Sequence, residues 1–402
     1  MKGKFKLSTL LIICICLLIK TNAQTDSLAK PTVDTLNPLR VAILIPLYID
    51  SAFDNNDTYK LGNTSMPKYM LTGLDFYNGV MLAIDSLEKE NVKVNVWIFD
   101  TKKKGVTIAA LMQQIDSLNV SLIIASFNNI YEQKTVASFA FDKNIPLVSA
   151  TYPNDAYVSG NPFFIMLNPT LKTHIENIYR YVLHNYPVAR ILYVTRKGSI
   201  ENKIKEDFVA MQKNMATMNY RILEVPDNFT ATSITSQMDS TKQNVIICGS
   251  VNENFGINLV KALSPTALSY EPIVIGMPTW DGLKALSGND CSNVQIFYST
   301  PFNFSKTYKT IAALNVAYKT KYSGRAGDMV YKGFESVYHF VKLLEKYPHD
   351  FINNISDNSF KIADDFIFEP VKNNPAELVP DYLENKKIYF VQQLNGVIKS
   401  VN

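Results

Sequence analysis

Residues 40–48 read Arg-Val-Ala-Ile-Leu-Ile-Pro-Leu-Tyr, RVAILIPLY, a nearly unbroken apolar run with one proline close to its end. A strand with one wet face would alternate apolar and polar residues. A continuous run predicts a strand covered on both faces, as in the middle of a parallel sheet. Outward from it, 71–89 carries Leu74, Tyr77, Met81, Ile84 and Leu87 at helical spacing. The same alternation continues with a strand at 92–99, a helix at 106–118, a strand at 121–125, a helix at 131–143 and a strand at 145–150. Strands alternating with helices demand a doubly wound α/β sheet with right-handed crossovers.

The segment 162–169, PFFIMLNP, is bounded by prolines and reads as an extended connector. A second series follows, with strands expected at 190–195, 220–225, 244–248, 272–276 and 294–298 and helices at 171–185, 201–218 and 256–263. Helices at 305–322 and 329–346 come next. The period then shortens toward β structure at 360–368 and 387–401, where Asn395-Gly396 offers a tight hairpin turn. Residues 50–70, rich in Asn, Asp and Ser, are long for a βα loop and are expected to lie near a crevice mouth as a lid, a partner contact or a solvated loop.

The amino end carries an export signal. Lys2, Lys4 and Lys6 precede the apolar core at 7–19, and Thr21-Asn22-Ala23 supplies small residues before Gln24. That core is shorter than the roughly 20 residues a membrane-spanning helix needs, so cleavage after Ala23 and a periplasmic product are expected. A lipoprotein signal fits less well, because Cys14 and Cys16 each follow Ile. Residues 24–38 read as a disordered lead-in. The formal charge of +4 vanishes with the leader, which holds four lysines and no acid. A basic nucleic-acid footprint is therefore absent. Cys248 and Cys291 remain, open either to pairing in an oxidising compartment or, for Cys248 at the end of an apolar run, to a core role.

The order of these stretches resembles the type I periplasmic binding proteins, which include branched-chain amino acid receptors of ABC transporters. The resemblance is carried by RVAILIPLY; LDFYNGVMLAIDSL (74–87) followed by VKVNVWIFDT; SLIIAS; NIPLVSAT (144–151) followed by NPFFIMLNPT; VYKGFESVYHFVKLLEK (330–346); and IYFVQQLNGVIKSVN (388–402). It is similar also to versions fused to LysM peptidoglycan-binding modules. The resemblance implies two lobes joined by hinge crossovers near 159–168, 298–303 and 348–355. The first lobe would be 39–160 with 301–348, the second 161–300 with 349–402. It further implies capture of a small amino acid-like or peptide ligand without cofactor, metal or catalysis, with an ABC transporter permease or an envelope protein as partner. A non-transport envelope scaffold or sensor is the alternative.

Ligands of open parallel sheets lie at the carboxyl ends of strands. On this arrangement the lining would include Tyr48, Ser126, Asn128, Ser149, Thr151 and Tyr152 from the first lobe and Thr195, Ser250, Thr279, Trp280 and Asp281 from the second. The resemblance places Ser126, Ser149 and Thr151 where hydroxyls hold an anionic group, usually a carboxylate, and turn capping is the competing role. Trp280 is read as a stacking platform or helix-base packing, Asp281 as a partner for an ammonium or a helix cap. A hydrolase is disfavoured: the chain has no Gly-x-Ser-x-Gly, no Gly-x-Gly-x-x-Gly and no phosphate-loop motif. His174 and His184 lie ten residues apart on one helix, too far to share a metal, and read as surface or half-buried. Glu335 reads as a capping or solvated acid.

Overall fold

The computed structural model describes residues 37–62, 66–303 and 309–401. The leader 1–23 lies outside the described residues, as does nearly all of the expected lead-in. Strand β1 (Leu39–Ile45) is the fully covered strand the sequence predicts. Val41, Ile43 and Ile45 enter one core, and Ala42 and Leu44 enter another on the opposite face. In the second lobe, β8 (Asn244–Cys248) repeats the arrangement, sending Ile246 and Cys248 one way and Val245 and Ile247 the other.

The other strands are β2 (Val94–Asp100), β3 (Leu122–Ala125), β4 (Leu147–Ser149), β5 (Phe164–Met166), β6 (Arg190–Thr195), β7 (Tyr220–Glu224), β9 (Pro272–Gly276), β10 (Gln295–Thr300), β11 (Phe368–Val371), β12 (Tyr382–Asn385), β13 (Tyr389–Leu394) and β14 (Val397–Val401). They form two seven-stranded sheets, ordered β11-β12-β5-β4-β3-β1-β2 and β14-β13-β10-β9-β8-β6-β7. In each, five parallel strands are extended by two from the carboxyl-terminal part of the chain. This is the two-lobe doubly wound architecture expected.

Helices longer than one or two turns are α1 (Lys68–Lys89), α2 (Ile108–Ser117), α3 (Ile130–Lys143), α4 (Leu171–Asn185), α5 (Ser199–Asn214), α6 (Glu253–Leu263), α7 (Lys309–Tyr322) and α8 (Asp328–Lys346). Their starts follow from capping chemistry: Thr107, Asn129, Thr170 and Asn252 each accept a backbone N–H from the first turn. Helices α1 and α8 cross so closely that a Cβ on Gly79 would stand 2.1 Å from the Val330 carbonyl oxygen, and one on Gly333 2.1 Å from that of Phe76. In the second lobe, Gly256 and Gly276 instead make room for the indole of Trp280, with Cβ clearances of 2.6 and 2.2 Å.

Two placements differ from expectation. Residues 161–166 and 368–385, assigned to the second lobe, supply β5, β12 and β11 to the first sheet. The third passage between lobes is therefore the short link 386–388, not 348–355, because Phe351, Ile355, Ile362 and Phe366 pack into the α1–α8 core. The hairpin at Asn395-Gly396 forms as predicted, with both residues at positive φ and Leu394 paired to Val397. Cys248 and Cys291 are unpaired and buried. Of the 50–70 segment, 50–52 belongs to a single helical turn, Ile49–Ala52, and Phe53 bridges Tyr59, leaving 53–60 exposed.

The three passages are fastened by buried polar groups. At the first, Glu384 of β12 accepts Thr170 N at 2.7 Å and the Thr173 hydroxyl at 2.7 Å. At the second, Asn303 donates its backbone N–H to Asp364 (2.8 Å) and its side-chain amide to the Ala363 carbonyl (2.9 Å). At the third, Asp365 N donates to the Tyr389 hydroxyl at 2.7 Å. Behind them, Glu335 accepts three backbone N–H groups from 362–364, and Lys332 pairs with Asp364 at 3.2 Å. Glu335 is thus buried, not solvated. Burial, reinforced by neighbouring Asp364, pushes its carboxyl up to about 7.

Candidate functional site

Between the lobes, beside the first two passages, lies a cavity of about 720 Å³. The first lobe gives it Asp75 of α1, Pro153 beyond β4, and Asp328 and Met329 from the first turn of α8. The second gives Leu171 and His174 of α4, Val251 beyond β8, and Pro278, Thr279, Asp281 and Gly282 beyond β9. The passages themselves add Asn168, Pro169, Pro301 and Phe302. Proline suits such connectors because its φ is fixed and it has no N–H to leave unpaired. The ring also presents an apolar wall. A volume of this size, mostly apolar with a few convergent polar groups, is typical of small-molecule sites.

The polar groups are held in place from behind. The Asn168 side-chain amide donates to the Thr151 carbonyl at 2.7 Å, while its Oδ1 is buried and without a partner. His174 Nδ1 lies 2.9 Å from the Ser299 hydroxyl, and burial drives the imidazole down to about 3, so it is neutral near pH 7. The Thr279 hydroxyl donates to the Val251 carbonyl (3.2 Å), and Thr300 donates to Asp281 Oδ2 (2.7 Å). Asp75 is partly buried, and desolvation raises its carboxyl above the ordinary value. Among the described residues no cluster of three or more His, Cys, Asp or Glu is placed to hold a metal ion.

Of the eleven residues expected at the site, Thr279 and Asp281 line this cavity. The others are absent from its lining. Ser126 and Thr151 bond each other at 3.2 Å, and Thr151 also donates to the Phe127 carbonyl. Ser149 is buried in its strand, and Tyr152 packs on the core beneath α3. Asn128 donates to the Tyr48 hydroxyl at 3.0 Å, in a ring pair with Tyr69. Thr195 donates to the Gly249 carbonyl, and Ser250 to Glu201 at 2.6 Å. Trp280 is 1 % exposed and fills the second lobe's core, so it offers no face to a ligand. His174, read as surface or half-buried, is 3 % exposed and walls the cavity.

Sequence reasoning missed Asp75, Asn168, Pro169, His174, Pro301, Phe302, Asp328 and Met329. The available signal was the pair of prolines at the passages, since a cavity beside a hinge must be walled by the hinge.

No curated protein matches the chain in sequence. The fold is shared with many solved structures, among them crystal structures from three bacteria. A "putative branched-chain amino acid ABC transporter" from Rhodospirillum rubrum aligns at TM-score 0.66 and 13 % identity, covering 91 % of this chain and all of that one. A periplasmic ligand-binding protein of a branched-chain amino acid ABC transporter from Burkholderia xenovorans aligns at 0.60 and 12 %, covering 90 % and 94 %. An ABC transporter substrate-binding protein from Desulfitobacterium hafniense, in complex with Leu, aligns at 0.57 and 12 %, covering 91 % and 100 %. No described helix is long and apolar enough to cross a membrane. The sequence profile described as "Periplasmic binding protein" matches residues 68–359, a stretch running from the first residue of α1 past α8, and the chain belongs to that family.

Proposed function

We propose that this protein is an exported solute-binding protein that captures a small ligand in the cavity between its lobes and presents it to an ABC transporter permease. The observation that carries the reading is the cavity's construction. Both lobes and two passages contribute walls, so a ligand touching all of them would be held best in one relative orientation of the lobes. Export of a product beginning at Gln24 belongs to the same reading. Mass spectrometry of the envelope fraction checks it, and retention of residues 1–23 would defeat it.

The capture test is a thermal-shift screen against amino acids, small peptides and cell-wall fragments. A ligand at 100 times its Kd adds about 2.7 kcal/mol of stability. Val251→Trp, which fills the cavity, should abolish that shift while leaving the unliganded melting temperature close to the parent's. One observation favours the scaffold alternative: two of the first lobe's strand-end hydroxyls, Ser126 and Thr151, are bonded to each other. A screen without hits, alongside recovery of one envelope protein in pull-downs, would select it.

A further inference from the structure

We infer that the cavity anchors its ligand through a cationic amine on an apolar body, not through a free carboxylate. This rests on the capture reading above and adds the class of ligand.

The walls supply acceptors. Asp75 has no hydrogen bond or ion pair among the described residues, although it is partly withdrawn from water. A carboxylate in that position loses hydration without gaining a partner, and an ammonium brought by a ligand would supply one. Asn168 is 7 % exposed, its amide N–H₂ is committed to Thr151, and its Oδ1 has no partner. Both groups therefore call for a donor. The apolar body has Leu171, Phe302 and Met329 to lie against.

The features that would hold an anion are mostly engaged within the protein or opposed by an acid. Two helices begin at the cavity, and a helix N-terminus is an ordinary carboxylate site. At α4 Glu384 takes the Thr170 N–H, the Thr170 hydroxyl takes that of Thr173, and the Glu384 carboxylate stands against an incoming anion. At α8 the first turn carries Asp328. No Lys or Arg among the described residues lines the cavity. Lys332 stands behind the Phe302 ring, 5.1 Å from its centre, and is paired with Asp364. The hydroxyls of Ser126 and Thr151 face each other rather than the cavity.

The test uses four probes with one alkyl body: isopentylamine, isovalerate, isovaleramide and leucine. Calorimetric titration of the exported protein should show the amine binding at least about tenfold more tightly than isovalerate or isovaleramide. Asp75→Asn should weaken amine binding by at least about tenfold, with the unliganded melting temperature preserved. Amine affinity should also fall as salt is added, a readout independent of whether the variant folds. Tightest binding by isovalerate or leucine, or amine affinity indifferent to both Asp75→Asn and salt, overturns the inference while leaving capture intact. Silence from all four and from the wider ligand screen overturns the capture reading, and this inference with it.

Discussion

The two lobes share one strand order and differ in what their cores are built around. In the first, glycines let two helices meet backbone to backbone, at Gly79 against Val330 and Gly333 against Phe76. In the second, glycines in α6 and β9 form a slot for a single indole, Trp280. One lobe is held by a shared surface between helices, the other by a plug. Damage to the first should spread along a helix pair, whereas removing the plug should leave a hole in one place.

Trp280→Ala has the largest expected effect, a loss of about 3–5 kcal/mol from an unfilled cavity. Hydrogen exchange should localise it to β8, β9 and α6, and loss of protection equally in α1 and α8 would break the comparison. Gly333→Ala comes next, costing roughly 1–3 kcal/mol because the added methyl meets backbone that can only yield by moving a helix. Its exchange signature should lie along α1 and α8. A smaller effect is expected of Thr170→Ala at the first passage, where loss of the α4 cap costs about 1 kcal/mol and loosens the amino end of that helix.

Glu335 and His174 should answer pH with opposite sign. Glu335, held at about 7 against an ordinary 4.5, keeps its proton in the folded state across that interval. Its stabilising contribution is present below pH 4.5 and lost as pH rises toward 7. His174, held at about 3 against 6.5, is neutral in the fold, so its contribution is lost as pH falls from 6.5 toward 3. His339 in the first lobe, lowered to about 4, slopes the same way as His174. The difference between Glu335→Gln and the parent isolates the carboxyl: between pH 5 and pH 7 the variant's melting temperature should rise more, or decline less, than the parent's. Equal changes would show that Glu335 is ionised throughout.

Much of this fold was legible in the chain. RVAILIPLY announced a strand covered on both faces, and Asn395-Gly396 announced its hairpin, because both signals are local. The stretches Phe368–Val371 and Tyr382–Asn385 were expected in the second lobe, with β structure at 360–368 and none at 382–385, because nothing local names a strand's sheet. Leu383 pairs with Ile165, more than two hundred residues away, and only that pairing places it. The site divided along the same line. Thr279 and Asp281 follow a strand, where the crevice rule applies, and both line the cavity. Asp75 and Asp328 lie on helices, and their arrival at the cavity depends on how α1 crosses α8. Trp280 shows the limit of the rule, since a tryptophan in a strand-end loop looks the same whether it meets a ligand or the lobe's interior.

The division of residues 368–401, two strands to each sheet, bears on the order of folding. Neither sheet has its full complement until this last stretch has been synthesised, and β12 must find β5 across most of the chain's length. Closing so long a loop is a slow step. The two lobes are thus poor candidates for folding one after the other as they emerge. They should reach the native state together, late, and through a shared final event in which the carboxyl-terminal ribbon docks on both.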